Sequence, residues 1–200
     1  MPRSRSVPVV IAGIGLLALA CGDVQKIGQQ AQQMAQEAKR AAMTPSLPCD
    51  AEVPEVEPVG CISGELRCGD VIEGTTVGGE SNWDDRYYST QFCFPGGDDH
   101  GGPERAYLLH APAYSSIRIR LQSDCVDLDL AAMAFAYDGR CPTSQNSVPE
   151  CEGDAHRGGG DILLQNFNNP RTYIVGVDGK GRASGPFRLT VECSQIIQRN

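Results

Sequence analysis

Ser123-Asp124-Cys125-Val126-Asp127-Leu128-Asp129-Leu130, continuing through Ala131-Ala132-Met133-Ala134-Phe135-Ala136 to Tyr137-Asp138-Gly139, decides how the chain is read. Acid and leucine alternate at period two. This places Leu128 and Leu130 on one face of a strand and Asp127 and Asp129 on the other. From Ala131 to Phe135 both faces are apolar, the pattern of a central strand covered on both sides, and the run stops at an Asp-Gly turn signal.

Working outward, short runs of similar character are separated by Gly, Asp and Asn. Arg67 to Glu73 ends at Gly74, Glu104 to His110 precedes Pro112, and Ser116 to Leu121 sets Ile117, Ile119 and Leu121 against Arg118 and Arg120. Asp161 to Phe167, Thr172 to Val177 and Pro186 to Cys193 complete the set. In the last, Phe187, Leu189, Val191 and Cys193 share a face opposite Arg188, Thr190 and Glu192. Half-buried strands with no helical pattern among them predict an all-β domain, an antiparallel β-sandwich or jelly roll, over 61–194, followed by a tail at 195–200.

The start of the chain has another character. Arg3 and Arg5 precede an apolar run from Val7 to Ala20, too short to span a bilayer and suited to a secretory signal over 1–20. It ends Leu17-Ala18-Leu19-Ala20-Cys21, which resembles the lipobox of bacterial lipoproteins. That resemblance implies acylation of Cys21 and a membrane-anchored mature chain. Two or three acyl chains at about 0.8 kcal/mol per methylene hold a domain on a bilayer almost permanently. An ordinary cut after Ala20 would instead leave an unpaired thiol in an oxidising compartment. Gly22 stands where Asp favours inner-membrane retention, so the outer membrane is expected.

In the segment 21–44, Val24, Ile27, Ala31, Met34, Ala38 and Ala41 fall at helical spacing, predicting a short amphipathic helix over 24–42. It reads either as a polar stalk or as a docking helix for a protein partner. Pro45, Pro48, Pro54 and Pro58, with four acids among them, make 45–60 an extended Pro-rich linker.

Setting Cys21 aside leaves Cys49, Cys61, Cys68, Cys93, Cys125, Cys141, Cys151 and Cys193. An even set in an exported chain predicts up to four disulfides. The loop between Cys141 and Cys151 suggests that pair, and Cys49 with Cys61 is the second expectation. No Cys-x-x-Cys occurs, and His100, His110 and His156 have no zinc spacing. The formal charge of −8 excludes nucleic acid as a partner and disfavours anionic lipid headgroups.

Gly74-Thr75-Thr76, the polar stretch to Cys93, Glu104-Arg105-Ala106-Tyr107, Asp127-Leu128-Asp129-Leu130, the Cys141 to Cys151 loop, Thr172-Tyr173-Ile174-Val175-Gly176-Val177-Asp178-Gly179 and Gly185-Pro186-Phe187-Arg188-Leu189-Thr190-Val191 come in one order. In that order they resemble the bacterial pre-peptidase C-terminal domain from about Leu66 to Cys193. The resemblance implies a β-sandwich without catalysis of its own that aids secretion, stability or substrate binding. Ala131 stands where that family usually has an aromatic.

No Gly-x-Ser-x-Gly, His-Glu-x-x-His or phosphate loop is present. Asp127 and Asp129 lie about 7 Å apart along one strand face. With Asp178, and loops such as Asp84-Asp85 or Asp98-Asp99, they suggest a calcium site, calcium being the one cofactor these residues indicate. The alternatives are a solvated face or carboxylates accepting turn amides. Trp83, Tyr87 and Tyr88 form an aromatic polar stretch that suits a polysaccharide or protein ligand, or else pins a long loop to the sandwich. The expected function is a non-catalytic binding or envelope-structural lipoprotein of the cell surface or periplasm. The alternative is an accessory subunit of a secreted hydrolase or envelope assembly, docked through the N-terminal helix.

Overall fold

The computed structural model describes residues 47–196, apart from positions 56, 59, 92, 94–98 and 147. The signal segment, Cys21 and the helix expected over 24–42 lie outside the described residues. The elements are β1 (Ile62–Leu66), β2 (Val71–Thr75), α1 (Asp85–Gln91), β3 (Arg105–Ala111), β4 (Ser115–Gln122), β5 (Leu128–Ala134), β6 (Cys151–Asp154), β7 (Gly159–Asn166), β8 (Arg171–Gly179) and β9 (Pro186–Gln195).

They form a sandwich of a five-stranded sheet, β1-β3-β8-β5-β6, and a four-stranded sheet, β2-β9-β4-β7. The strand pairs are antiparallel except β1 with β3, which run parallel. The alternation in the sequence sets the inner faces. Ile117, Ile119 and Leu121 of β4 and Phe187, Leu189 and Val191 of β9 point inward against Leu128, Leu130, Val175 and Val177 of the larger sheet. From residue 47 to 58 the described linker has no strand or helix, as its prolines require.

β5 is buried on both faces along its whole length. Its outer face, which carries Asp129, is not solvated: α1 and the segments around it cover it. α1 itself was not foreseen, because seven residues are too few to show a period. Its start is fixed by Asp84, whose side chain accepts the Tyr87 N–H at 2.8 Å in an N-cap.

Of the expected strand over 67–73 only 71–73 are strand, the opening of β2, and 67–70 are the turn that joins it to β1. Gly69, at φ 90°, turns the chain, and the Asp70 carboxylate accepts the Arg67 N–H at 2.7 Å. β6 lies in what the sequence suggested was the end of a loop.

Four disulfides join Cys49 to Cys125, Cys61 to Cys141, Cys68 to Cys193 and Cys93 to Cys151. The expected pairs Cys141 with Cys151 and Cys49 with Cys61 are therefore corrected. Cys151 opens β6 and meets Cys93 beyond α1, while Cys141 reaches back to the residue before β1. Sequence proximity misled because the bonds staple the covering segments to the sheet rather than closing single loops. The bonds span 58 to 125 residues, and constraining loops of that size stabilises by about 4 kcal/mol each in the chain-entropy picture. Such bonding is that of an exported protein maturing in an oxidising compartment. No helix among the described residues is long and apolar enough to cross a membrane.

The sandwich has a distinct polarity. Cys125 follows the Gln122 end of β4, so the Cys49 bond ties the linker to that end. The turn holding Tyr114 precedes Ser115, at the opposite end of the same strand. Ser115 pairs with Asn166, which brings the turn after β7, beginning with Phe167, to that far end as well.

Candidate functional site

Asp129 of β5 and Asp178 of β8 are register partners, so their side chains stand side by side on the outer face of the larger sheet. Glu104 precedes Arg105, the register partner of Val177, and continues the row onto β3. Three carboxyl groups thus cross three neighbouring strands, and all are buried. Like charges placed directly opposite repel, and burial adds a desolvation cost, so this row needs donors.

The donors come from the segment that covers it. Tyr88 of α1 donates its hydroxyl to Asp178 at 2.7 Å. His100 lies between two carboxylates, with Nε2 at 2.8 Å from Asp129 and Nδ1 at 2.9 Å from Asp85. Carboxyl groups at both ring nitrogens favour the doubly protonated, cationic ring. Asp85 also accepts the backbone N–H groups of His100 and Asp99 at 2.7 and 2.9 Å. Glu104 accepts the N–H groups of Asn82 and Trp83 at 2.7 and 3.2 Å.

Burial, and then the charge of Asp178, push the Glu104 carboxyl up to about 8. Burial also raises Asp178 to about 7, against the Tyr88 hydrogen bond and the charge of His100. For His100, burial acts downward, but the bonds to Asp129 and Asp85 outweigh it and its pKa is raised. The Tyr88 hydroxyl is pushed up by burial and then by the charge of Asp178. Asp85 is lowered, chiefly by the His100 backbone N–H.

The aromatic stretch is the seat of this cover. Trp83, Tyr87 and Tyr88 are all buried, so none is a flat platform for a ligand, and the reading in which the rings pin the loop fits their placement. They pack with Ala106, Ala131, Met133 and Ile174 in a second core outside the larger sheet. Ala131, where the resembled family has an aromatic, lies beneath them. The Trp83 indole N–H donates to the Pro142 carbonyl at 3.0 Å, and the Tyr87 hydroxyl lies 2.9 Å from the Met133 sulfur. Trp83 sits over Gly176, where a Cβ would come within 2.8 Å of the ring.

Of the expected calcium ligands, Asp129 and Asp178 are brought together. Asp127 lies just before β5, half-buried, with its carbonyl accepting the Lys180 N–H at 3.1 Å. Among the described residues no three His, Cys, Asp or Glu side chains are set to hold a metal ion. Among the described residues Asp129 and Asp178 are partnered by His100 and Tyr88. The sequence reading missed His100, Glu104 and the pairing role of Asp85. An isolated histidine in a Gly/Asp loop and an acid at a strand start carry no motif. While clamped on both nitrogens His100 has no lone pair to accept a proton, and the hydroxyl of Tyr88, whose ring lies 4.8 Å from its own, donates to Asp178.

No family model matches this chain, and no curated protein matches it. The solved structures similar to this chain include two. The pre-peptidase C-terminal domain of a Bacillus anthracis collagenase is 14% identical with a TM-score of 0.39, over 71% of this chain and 100% of that one. PliG of Aeromonas hydrophila, a periplasmic inhibitor of g-type lysozyme, is 12% identical with a TM-score of 0.40, over 68% of this chain and 98% of that one.

Proposed function

We propose that this chain is a non-catalytic lipoprotein, anchored in the outer membrane through acylated Cys21, whose sandwich serves as a binding or envelope-structural module. The observation that carries this reading is the polarity of the sandwich. The Cys49–Cys125 bond holds the linker at one end, so a lipid tether enters there. The far end offers two large exposed rings, Tyr114 and Phe167. Tyr114 is held at φ 56°, a left-handed conformation unusual for a bulky side chain. Beside the same end a cavity of about 460 Å³ is lined by Ala134, Phe135, Ala136, Pro149, Arg171 and Thr172. Aromatic groups with an arginine are what protein-binding surfaces favour.

The buried cluster supports the non-catalytic part, since Asp129 and Asp178 are closed to water and bonded to His100 and Tyr88 of the covering segment. Two measurements test the reading. Metabolic labelling with palmitate in a two-membrane bacterial host should mark the native chain and send it to the outer-membrane fraction, and Cys21→Ala should abolish both. An unlabelled native chain overturns the anchor. Hydrolytic activity of the purified chain that is lost in Asp129→Asn or Glu104→Gln would overturn the non-catalytic role.

A further inference from the structure

We propose that the segment from Ser81 to Gln91 is a pH-controlled cover, held on the larger sheet in mild acid and loosened in mild alkali, when it exposes Trp83, Tyr87, Tyr88 and the carboxyl row. The geometry puts the fastenings of this segment onto the carboxyl row on titratable groups, while the bonds of Trp83 to Pro142 and of Gln91 to Asn146 and Val148 hold it elsewhere without titrating. Its first residues hang from Glu104 through two backbone N–H groups, and α1 is fastened by Tyr88 to Asp178 and by Asp85 to the His100 bridge onto Asp129. Beyond these, the Cys93–Cys151 bond holds the segment's far side covalently, so opening is a local hinge rather than a release.

The groups facing the row all share in the balance. From α1 and its cap come Asp84, Asp85, Tyr87 and Tyr88; from the following loop, Asp99 and His100; from β3 and the residue before it, Glu104 and Arg105; from β5 and the residue before it, Asp127 and Asp129; from β8, Asp178, with Lys180 bridged to His100 through the backbone. The Arg105 guanidinium donates to the carbonyls of Thr75 and Val77, at 3.1 and 2.7 Å. Protonated His100 is a positive charge bridging the row to the cover. Raising the pH takes the proton from His100 and ionises Glu104 and Asp178, so each step adds negative charge to one buried row. The open form, in which these groups meet water, accommodates that charge better.

The sign is the same for each. Glu104 and Asp178 hold their protons to higher pH when covered than when exposed, and so does His100. The covered form therefore binds more protons, and opening grows as pH rises through the interval between exposed and covered values.

Hydrogen exchange read by mass spectrometry on the disulfide-intact chain tests this, with protection factors corrected for the intrinsic pH dependence. Protection in 84–91 should fall at least about tenfold from pH 6 to pH 8, while that of β4 and β9 holds. Glu104→Gln and Asp178→Asn should each flatten the profile. Equal protection of 84–91 at both pH values in the native chain overturns the proposal without any variant. So does a fall shared equally by β4 and β9, or an unchanged slope in both variants.

Discussion

Asp129 and Asp178 oppose each other on adjacent strands of a sheet face that is closed to water. Two carboxylates at that spacing would repel strongly if both were ionised and unpartnered. The fold meets this by bringing the Tyr88 hydroxyl to one and the His100 ring to the other, both from a segment outside the sheet. The covering layer and the acid pair thus depend on each other.

Gly176 is expected to tolerate no side chain. Its missing Cβ is the floor on which Trp83 lies, at 2.8 Å from where that atom would be. Gly176→Ala must displace the indole or the strand, and overpacking of this kind costs about 1–3 kcal/mol. Thermal unfolding should show the lower midpoint. Trp83 is the only tryptophan of the chain, so a red-shifted emission would place the disturbance in the cover.

Non-reducing peptide mapping should recover Cys93 linked to Cys151 and Cys61 linked to Cys141. Removing the first pair by Cys93→Ala with Cys151→Ala should cost about 2–5 kcal/mol. A fragment holding Cys141 bonded to Cys151 would refute the pairing.

The inner core predicts a sharp contrast between two leucines. Leu130 of β5 is fully buried, whereas Leu163 of β7 is 51% exposed. Leu130→Ala should destabilise by about 2–5 kcal/mol, and Leu163→Ala by less than about 0.5 kcal/mol. Urea titrations of the two variants compare them directly.

These contrasts mark what the sequence can and cannot say. Ile117, Ile119 and Leu121 alternate with arginines, so the inner face of β4 and the sandwich itself were legible from period two alone. Asp127 and Asp129 alternate in the same way, yet the outer face they define is buried by a layer the pattern does not announce. That layer is a seven-residue helix, a histidine in a glycine-rich loop and disulfides closing spans of 58 and 80 residues. None has a local signature, because each acts through a partner far along the chain. Trp83, Tyr87 and Tyr88 stood out as residues, but the seat of Trp83 is Gly176, more than eighty positions away.

The last prediction concerns Tyr88, which links the helix to the acid pair. Its hydroxyl bond opposes the effect of burial on Asp178, whose carboxyl stands near 7. Tyr88→Phe keeps the ring but removes the donor, leaving the Asp178 carboxylate short of a partner. The Asp178 pKa should therefore rise above its present value, which carboxyl-carbon NMR titration can follow. An acid whose folded pKa exceeds its unfolded one loses stability as pH rises from the unfolded value to the folded one, here from about 4 towards 7 and beyond. In Tyr88→Phe that loss should run to higher pH, so the variant should fall furthest below the native chain at pH 8 and least at pH 4. A buried acceptor left unsatisfied sets the difference at about 1–3 kcal/mol. A deficit of equal size at both pH values would mean that the hydroxyl acts only through packing and does not sense the charge on Asp178.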